Sequence, residues 1–388
     1  MRRPKIIIPF SKFYPATGGG PINSLLGHTR ELMNLGYDVK IITTDNSISD
    51  EIHVTCNKWI DKEFGKIIYL SGVFKLIKHI RLVVVEAKQN DIIHFNSVFS
   101  PYCFLPYLLL KIFKINIKVI WSVRGELNED ALKFKSWKKR PVFFLLKNVM
   151  KRDEILFHAT SEKEEKEILN VLGNQKIVTI SNLFYLSKIV KHKQKNQLLY
   201  IGRIHPIKSI ENIIEALHFS KIFKEKKNKL IIAGVHEERY TNYFNNLKSL
   251  VDKYDLSGLV DFVGSIQGDE KQRLYAQSYF TILVSKTENF GNVVLESLSQ
   301  GTPVIASKGT PWKDLETNKA GFHIDNSSES IAETIDKVLK MDEKEYVVYR
   351  NNALNFSKQF DIKAKFEQWD NVYIEWCSGI FFKNRFYF

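Results

Sequence analysis

Over the first 190 residues, short apolar runs alternate with longer segments whose apolar positions recur every three to four residues. Lys5–Pro9, Asp38–Thr44, Asp91–Phe95, Ile117–Trp121, Glu154–Thr160 and Lys176–Ile180 have the length of buried strands, whereas Ile22–Leu35, Leu76–Lys88 and Ser161–Leu172 carry helical spacing. Ser161 followed by Glu164 forms a capping box at the start of the last of these. Lys188–Gln197 is polar and basic and reads as a linker. The alternation then resumes with Leu198–Gly202, Lys229–Gly234, Val260–Gly264, Phe280–Ser285 and Pro303–Ser307, with helical segments between them that include Asn212–Phe219, Tyr240–Tyr254 and Gly291–Gln300. Such alternation predicts parallel sheets covered on both faces. The expected class is α/β, with two doubly wound domains whose strand ends face a cleft, the default ligand site.

Composition sharpens this picture little. The 388 residues are 44% hydrophobic and 26% charged, ordinary for a globular chain long enough for two domains. Cys56, Cys103 and Cys377 are too dispersed for a zinc site or a disulfide framework, which suits a reducing cytoplasm. The apolar start is too short for a signal peptide. The longest apolar run, from Tyr102, falls short of the ~20 residues that cross a bilayer. A soluble or peripheral protein is expected. Charge is uneven: residues 1–190 hold 29 Lys/Arg against 18 Asp/Glu, and residues 191–388 hold 28 against 25. The excess peaks in Ala131–Arg152, with eight Lys/Arg, no acid, and Trp137, Phe143 and Phe144 among them. That segment reads either as a helix lying on anionic lipid or as a domain helix with a solvated basic face. No nucleic-acid motif accompanies the charge, so no nucleic-acid partner is expected.

Candidate chemistry concentrates after residue 200. In Lys286–Trp312 a strand leads through K-T-E-N-F-G into a helix that Gly301 ends. Backbone N–H groups of about Gly291 to Val293 would sit at that helix start, where a phosphate is favoured. Glu288 precedes the turn and Glu296 lies one helical turn past Asn292. Two carboxylates flanking an anion site suit hydroxyls on either side of a diphosphate, although each acid taken singly also reads as a solvated helix or loop residue. G-R-I-H-P-I-K-S, Gly202–Ser209, adds Arg203 and Lys208 at another strand end. A forked guanidinium and a point-charge ammonium suit a diphosphate.

These two motifs, in this order and about eighty residues apart, resemble the paired signature of GT-B glycosyltransferases of family GT4. The resemblance extends over essentially the whole chain, including the P-A-T-G-G-G-P-I-N loop and the A-T-S-E-K-E segment. It implies two Rossmann-like domains, 1–188 and 197–364, with a helix in 365–388 crossing back to the first. It implies a nucleotide-diphosphate sugar donor, retention of anomeric configuration, and a glycan or lipid-linked acceptor in polysaccharide assembly. By this resemblance Arg203 and Lys208 hold the diphosphate, Glu296 the ribose and Glu288 the transferred sugar. Asn289, Phe290, Gly291, Asn292 and Val293 contact the donor through their backbone, Ile266 lines the base pocket, and Gly18, Gly19 and Gly20 close over the phosphates. A flexible glycine turn is the alternative for the last three.

The chain departs from the family's pattern at two places. His94 stands at a strand end where relatives carry His-x-His, but Asn96 takes the second position; the alternative for His94 is a structural histidine. Arg124 precedes Gly125 where relatives have a histidine, and an arginine cannot be a base near neutral pH. It would stabilise the leaving diphosphate or bind an anionic acceptor. Asp-x-Asp, the usual metal-binding pair of the other main glycosyltransferase fold, does not occur in the chain, so no metal or other cofactor is expected. The rival readings are a nucleotide-sugar epimerase on the same fold and a non-catalytic basic protein of nucleic-acid or membrane surfaces.

Overall fold

The computed structural model describes residues 2–16, 20–49, 52–128, 132, 144, 149–150, 155–191 and 193–379. Two compact units divide the chain: residues 1–185 with 362–388, and 186–361.

The first unit is an eight-stranded sheet in the order β3-β4-β2-β1-β5-β6-β7-β8. Its strands are β1 Lys5–Pro9, β2 Asp38–Thr44, β3 Trp59–Lys62, β4 Gly65–Leu70, β5 Ile92–Asn96, β6 Lys118–Ser122, β7 Ile155–Ala159 and β8 Lys176–Thr179. All neighbours are parallel except the β3–β4 hairpin. That hairpin, the edge strand β3 with β4 inside it, lies outside the predicted strands, because two short runs separated by Glu63–Phe64 carry no sustained period. The described helices α1 Gly20–Asn34, α2 Lys75–Ala87, α3 Pro101–Ile112 and α4 Glu162–Leu172 follow. Ser161 caps α4, its Oγ accepting from the Glu164 amide at 3.3 Å. The expectation that Gly18 and Gly19 close over phosphates lies outside the described residues, as does most of Ala131–Arg152.

The second unit is a six-stranded parallel sheet, β11-β10-β9-β12-β13-β14, made of β9 Gln197–Ile201, β10 Lys229–Ala233, β11 Val260–Gly264, β12 Phe280–Leu283, β13 Val304–Ser307 and β14 Gly321–Ile324. Helices α5 Ile210–Phe219, α6 Thr241–Lys253, α7 Gly268–Gln277, α8 Asn292–Ser299, α9 Ser328–Lys340 and α10 Glu343–Ser357 cover it. Chain order reverses between β9 and β12, which makes their carboxyl ends the switch point of the sheet.

The division between units falls a few residues from the expected boundaries, for visible reasons. Ile362 is buried in the first unit's core, and its N–H donates to the Phe184 carbonyl at 2.9 Å. Lys188–Gln197 is not a free linker. The Lys188 carbonyl accepts from Gln300 at 3.1 Å, the Val190 N–H donates to Gln300 at 2.9 Å, the Lys195 N–H donates to Gln277 O at 2.9 Å, and Gln197 opens β9. The last helix, α11 Glu367–Ser378, belongs to the first unit, where Trp369, Val372, Tyr373 and Trp376 enter the core with Phe366.

Candidate functional site

The second unit's chemistry gathers at the β9/β12 switch point. Beyond β9 the chain makes a single turn, Pro206–Lys208, capped by His205, whose Nδ1 accepts from the Ile207 amide at 3.0 Å. Nδ1 is therefore unprotonated, and Nε2–H faces the Tyr240 hydroxyl at 2.8 Å. Burial and then the cations Arg203, Lys208 and Arg239 lower the pKa of His205, which keeps the cap neutral. The Ile207 carbonyl accepts from the Lys286 N–H at 2.8 Å, tying this turn to the loop after β12. As a result Lys208 and Glu288 meet in an ion pair, their side chains 13% and 19% exposed. Ser285 Oγ also donates to Glu288 Oε2 at 3.2 Å, and the Glu288 N–H donates to the Gly309 carbonyl at 3.0 Å.

Gly291 caps α8 with φ +80° and ψ 64°, a left-handed conformation that glycine adopts without strain. A Cβ there would lie 2.9 Å from Leu283 Cδ2 and 3.2 Å from Glu288 Cγ. The space beside the Gly291 Cα is thus filled by the protein's own packing. Trp312 Nε1 donates to the Phe290 carbonyl and holds the turn from behind. α8 begins at Asn292, and in its first turn the Val294 N–H donates to the Gly291 carbonyl at 2.9 Å. One turn on, Glu296 accepts from the Tyr275 hydroxyl at 2.8 Å and from Lys271 Nζ at 2.6 Å. Burial, followed by the Glu296 charge, raises the Tyr275 phenol well above its ordinary pKa, so it stays a donor. Beside this group Ile266, Leu274 and Val293 form a half-buried apolar rim on Leu199, Ile201, Ile231, Ala233 and Tyr275.

Arg203 stands apart from the Lys208–Glu288 pair. Its side chain is 67% exposed, lies 3.7 Å from Glu237, and borders a shallow, open pocket with His205, Val235, His236 and Tyr240. The two cations expected to act together are thus differently placed: Lys208 is fixed and Arg203 extends into solvent.

In the first unit the structure corrects the reading of His94. This side chain is 1% exposed, and both its nitrogens are engaged. The Ile180 carbonyl can only accept, so His158 donates to it from Nε2 at 2.9 Å. Neutral His158 then accepts from Ser122 Oγ at Nδ1 at 2.7 Å, and Ser122 in turn accepts from His94 Nε2 at 2.8 Å. His94 Nδ1 accepts from the Tyr373 hydroxyl at 2.6 Å, and Tyr373 accepts from His28 Nε2 at 2.8 Å. One carbonyl thereby orients the whole chain of protons. His94 is a structural histidine that ties α11 to the sheet, not a group that reaches substrate. Arg124, with φ +60°, donates twice to Asn96 Oδ1, at 2.7 and 3.1 Å, and once to Asn182 Oδ1 at 3.1 Å. The two departures at Asn96 and Arg124 are therefore partners: the amide oxygen that replaces one histidine holds the guanidinium that replaces the other. Gly20 opens α1.

Residues 184–356 match the family model of glycosyl transferases group 1, a span that holds both motif loops and nearly fills the second unit. Over this span the chain is similar to the group 1 glycosyltransferases. An uncharacterized glycosyltransferase of Methanocaldococcus jannaschii is 23% identical over 391 residues, covering 95% of each chain. The O-antigen chain mannosyltransferase RfbU of Salmonella typhimurium is 28% identical over 179 residues, which is 46% of this chain and 48% of RfbU. Among solved structures, Anabaena HepE in complex with UDP and glucose superposes with a TM-score of 0.72 at 16% identity, covering 95% of this chain and 99% of that one. The GT-B fold is shared.

Sequence reasoning missed two side chains that join Glu296 in this candidate site, Lys271 and Tyr275 on α7. Their four-residue spacing puts both on one helix face, but nothing in the spacing says that this face meets Glu296. Gly309 was missed as well: a Cβ there would lie 2.4 Å from the Ser285 carbonyl, so only glycine lets the turn after β13 lie against the Glu288 loop.

Proposed function

We propose that this glycosyltransferase takes a nucleotide-diphosphate sugar as donor, bound at the β9/β12 switch point, and transfers the sugar with retention to a glycan or lipid-linked acceptor of a surface polysaccharide. The observation that carries the donor reading is the Lys208–Glu288 pair beside the Gly291-capped start of α8. Lys208, Arg203 and the N–H groups at α8 supply positive charge for the diphosphate and the departing nucleotide. Glu296, steadied by Tyr275 and Lys271, accepts from the ribose hydroxyls. The Ile266–Val293 rim offers an apolar surface to the base. Glu288 meets the transferred sugar once the donor phosphates draw Lys208 away. The UDP and UDP-glucose complexes of HepE support the donor class, and RfbU supports the polysaccharide setting. These cations and amides neutralise the leaving group in this reading without a metal.

The test is a thermal-shift and hydrolysis screen of the full chain against UDP-, GDP- and ADP-sugars, with chelator present and absent. Stabilisation and turnover with one nucleotide class, insensitive to chelator, is the expected result. NMR of the glycosylated product then reads the anomeric configuration. No response to any nucleotide sugar would sink the donor reading.

A further inference from the structure

α2 and α3 cover one face of the first unit's sheet, with Val83, Ala87, Cys103, Tyr107 and Leu110 in the core. The side facing away is not the polar face that a surface helix keeps in water. Val73 and Phe74, just ahead of α2, are 94% and 65% exposed; Ile77 and Val85 on α2 are 63% and 46% exposed. Ile112 and Phe113, at the end of α3, are 68% and 61% exposed. Each helix is a crossover between parallel strands, so the two run in the same direction. The His79 ring meets Tyr102 edge-on at 4.9 Å, which brings Val85 and Lys88 level with the C-terminal half of α3.

Cations separate and flank these apolar groups. Lys78, Arg81 and Lys88 are exposed along α2, and Lys111 and Lys114 at the end of α3. Residues 71–90 and 97–118 together hold seven Lys/Arg and one acid. That acid, Glu86, is 8% exposed and pairs with Lys40 at 2.6 Å, so it presents no negative charge outward. From Val73 to Lys88 the stripe is ~22 Å long at ~1.5 Å per residue.

We propose that this α2–α3 face seats the protein on an anionic lipid bilayer. Phe74, Ile77, Ile112 and Phe113 enter the boundary between headgroups and acyl chains, and Lys78, Arg81, Lys88 and Lys114 stay with the lipid phosphates. The complementarity of charge and the apolar groups on one face argue for this occupant. Among the described residues no helix is long and apolar enough to cross a membrane, so the contact is one of lying on the surface. The inference rests on this face alone and holds whichever donor the second unit takes.

The test is co-sedimentation of the full chain with vesicles of phosphatidylcholine alone or mixed with phosphatidylglycerol. The wild type binds the mixed vesicles and is released by high salt. Phe74→Gln with Ile77→Gln lowers this binding more than about tenfold, and Lys78→Gln with Arg81→Gln roughly thirtyfold, at ~1 kcal/mol per cation. Both variants keep the wild-type Tm and the thermal response to nucleotide sugars, which separates this proposal from the donor reading. Lys138→Gln with Lys139→Gln and Arg140→Gln, in the other basic segment, leaves binding within about twofold if the α2–α3 face is the one used. Failure of the wild type to bind mixed vesicles overturns the proposal. So does wild-type binding by the α2 variants, or a concentration-dependent dimer that those variants abolish.

Discussion

Lys208 and Glu288, eighty residues apart in the chain, form an ion pair across the carboxyl ends of β9 and β12. Each charge is shielded from water by the fold and compensated by the other, and either one removed leaves its partner exposed to a desolvation cost. In the proposed donor site an arriving diphosphate would compete with Glu288 for the same ammonium. Lys208→Ala is therefore expected to lower kcat/KM by ~2–4 kcal/mol, or about thirtyfold to a thousandfold. Glu288→Gln is expected to keep or tighten nucleotide diphosphate binding while lowering kcat, since it frees Lys208 but removes the contact to the sugar. Titration calorimetry with the nucleotide alone, set beside steady-state kinetics, separates the two; parallel losses in both variants would refute the competition.

In the proposed site Glu296 would answer to a different group, the ribose. Glu296→Ala is expected to raise KM for the donor with a smaller effect on kcat, because a ribose contact does not change during transfer. Tyr275→Phe removes one hydrogen bond to that carboxylate and is expected to raise the same KM by about fivefold, close to 1 kcal/mol. If Tyr275→Phe changes kcat alone, Glu296 does not face the ribose.

Gly291→Ala places a methyl group against Leu283 and Glu288 in a left-handed conformation. The expected cost is ~1–3 kcal/mol from backbone strain, with donor binding lost before the fold is. Urea unfolding combined with nucleotide titration would show a small stability change and a large affinity change. An unaffected affinity would mean that the α8 start lies outside the donor site.

The aromatic face of α11 ends in the first unit's core, with Trp369 4%, Tyr373 0% and Trp376 1% exposed. Deleting residues from Lys365 onward is expected to unfold the first unit, since each buried aromatic is worth ~3–5 kcal/mol. Tyr373→Phe is the milder probe. It leaves His28 and His94 without their shared hydroxyl and should cost ~1–3 kcal/mol. Hydrogen exchange would place the loss in β5, β6 and β7. A truncated protein that keeps its Tm and these protected amides would contradict the packing.

Acid should act on the same unit. Burial pushes His79 down to about 4 and His158 down to about 3, and holds His28 and His94 well below the usual histidine range. The folded values lie below the unfolded one, so the unfolded chain binds more protons and stability rises with pH through this window. The contribution is complete above about pH 6.5 and is lost as pH falls toward about 4, at ~1.4 kcal/mol per pH unit for each histidine. Denaturant unfolding of the full chain at a series of pH values should show the slope. A flat profile between pH 6.5 and 4 would mean that these rings are not held neutral.

What the chain determined by itself was whatever depends on local period and short-range spacing. Runs such as Lys229–Gly234 are continuous and apolar because a parallel strand is buried on both faces, and they are recognisable without a neighbour. The helix start at Gly291 is equally local, a matter of one glycine between a strand and an amphipathic run. Phe366, Trp369, Val372, Tyr373 and Trp376 recur at helical spacing, which is again local, whereas the place of that helix in the first unit was implied only by the family resemblance. Tertiary structure alone decided the pairings. No spacing links Lys271 to Glu296, Arg124 to Asn96, or Tyr373 to His94, because these contacts form where strand order and helix packing bring distant segments together. The same reason moved His94 from candidate catalyst to core. A histidine at a strand end looks alike in sequence whether it faces a ligand or a tyrosine from the last helix, and only its surroundings, desolvated and fully hydrogen-bonded, distinguish the two.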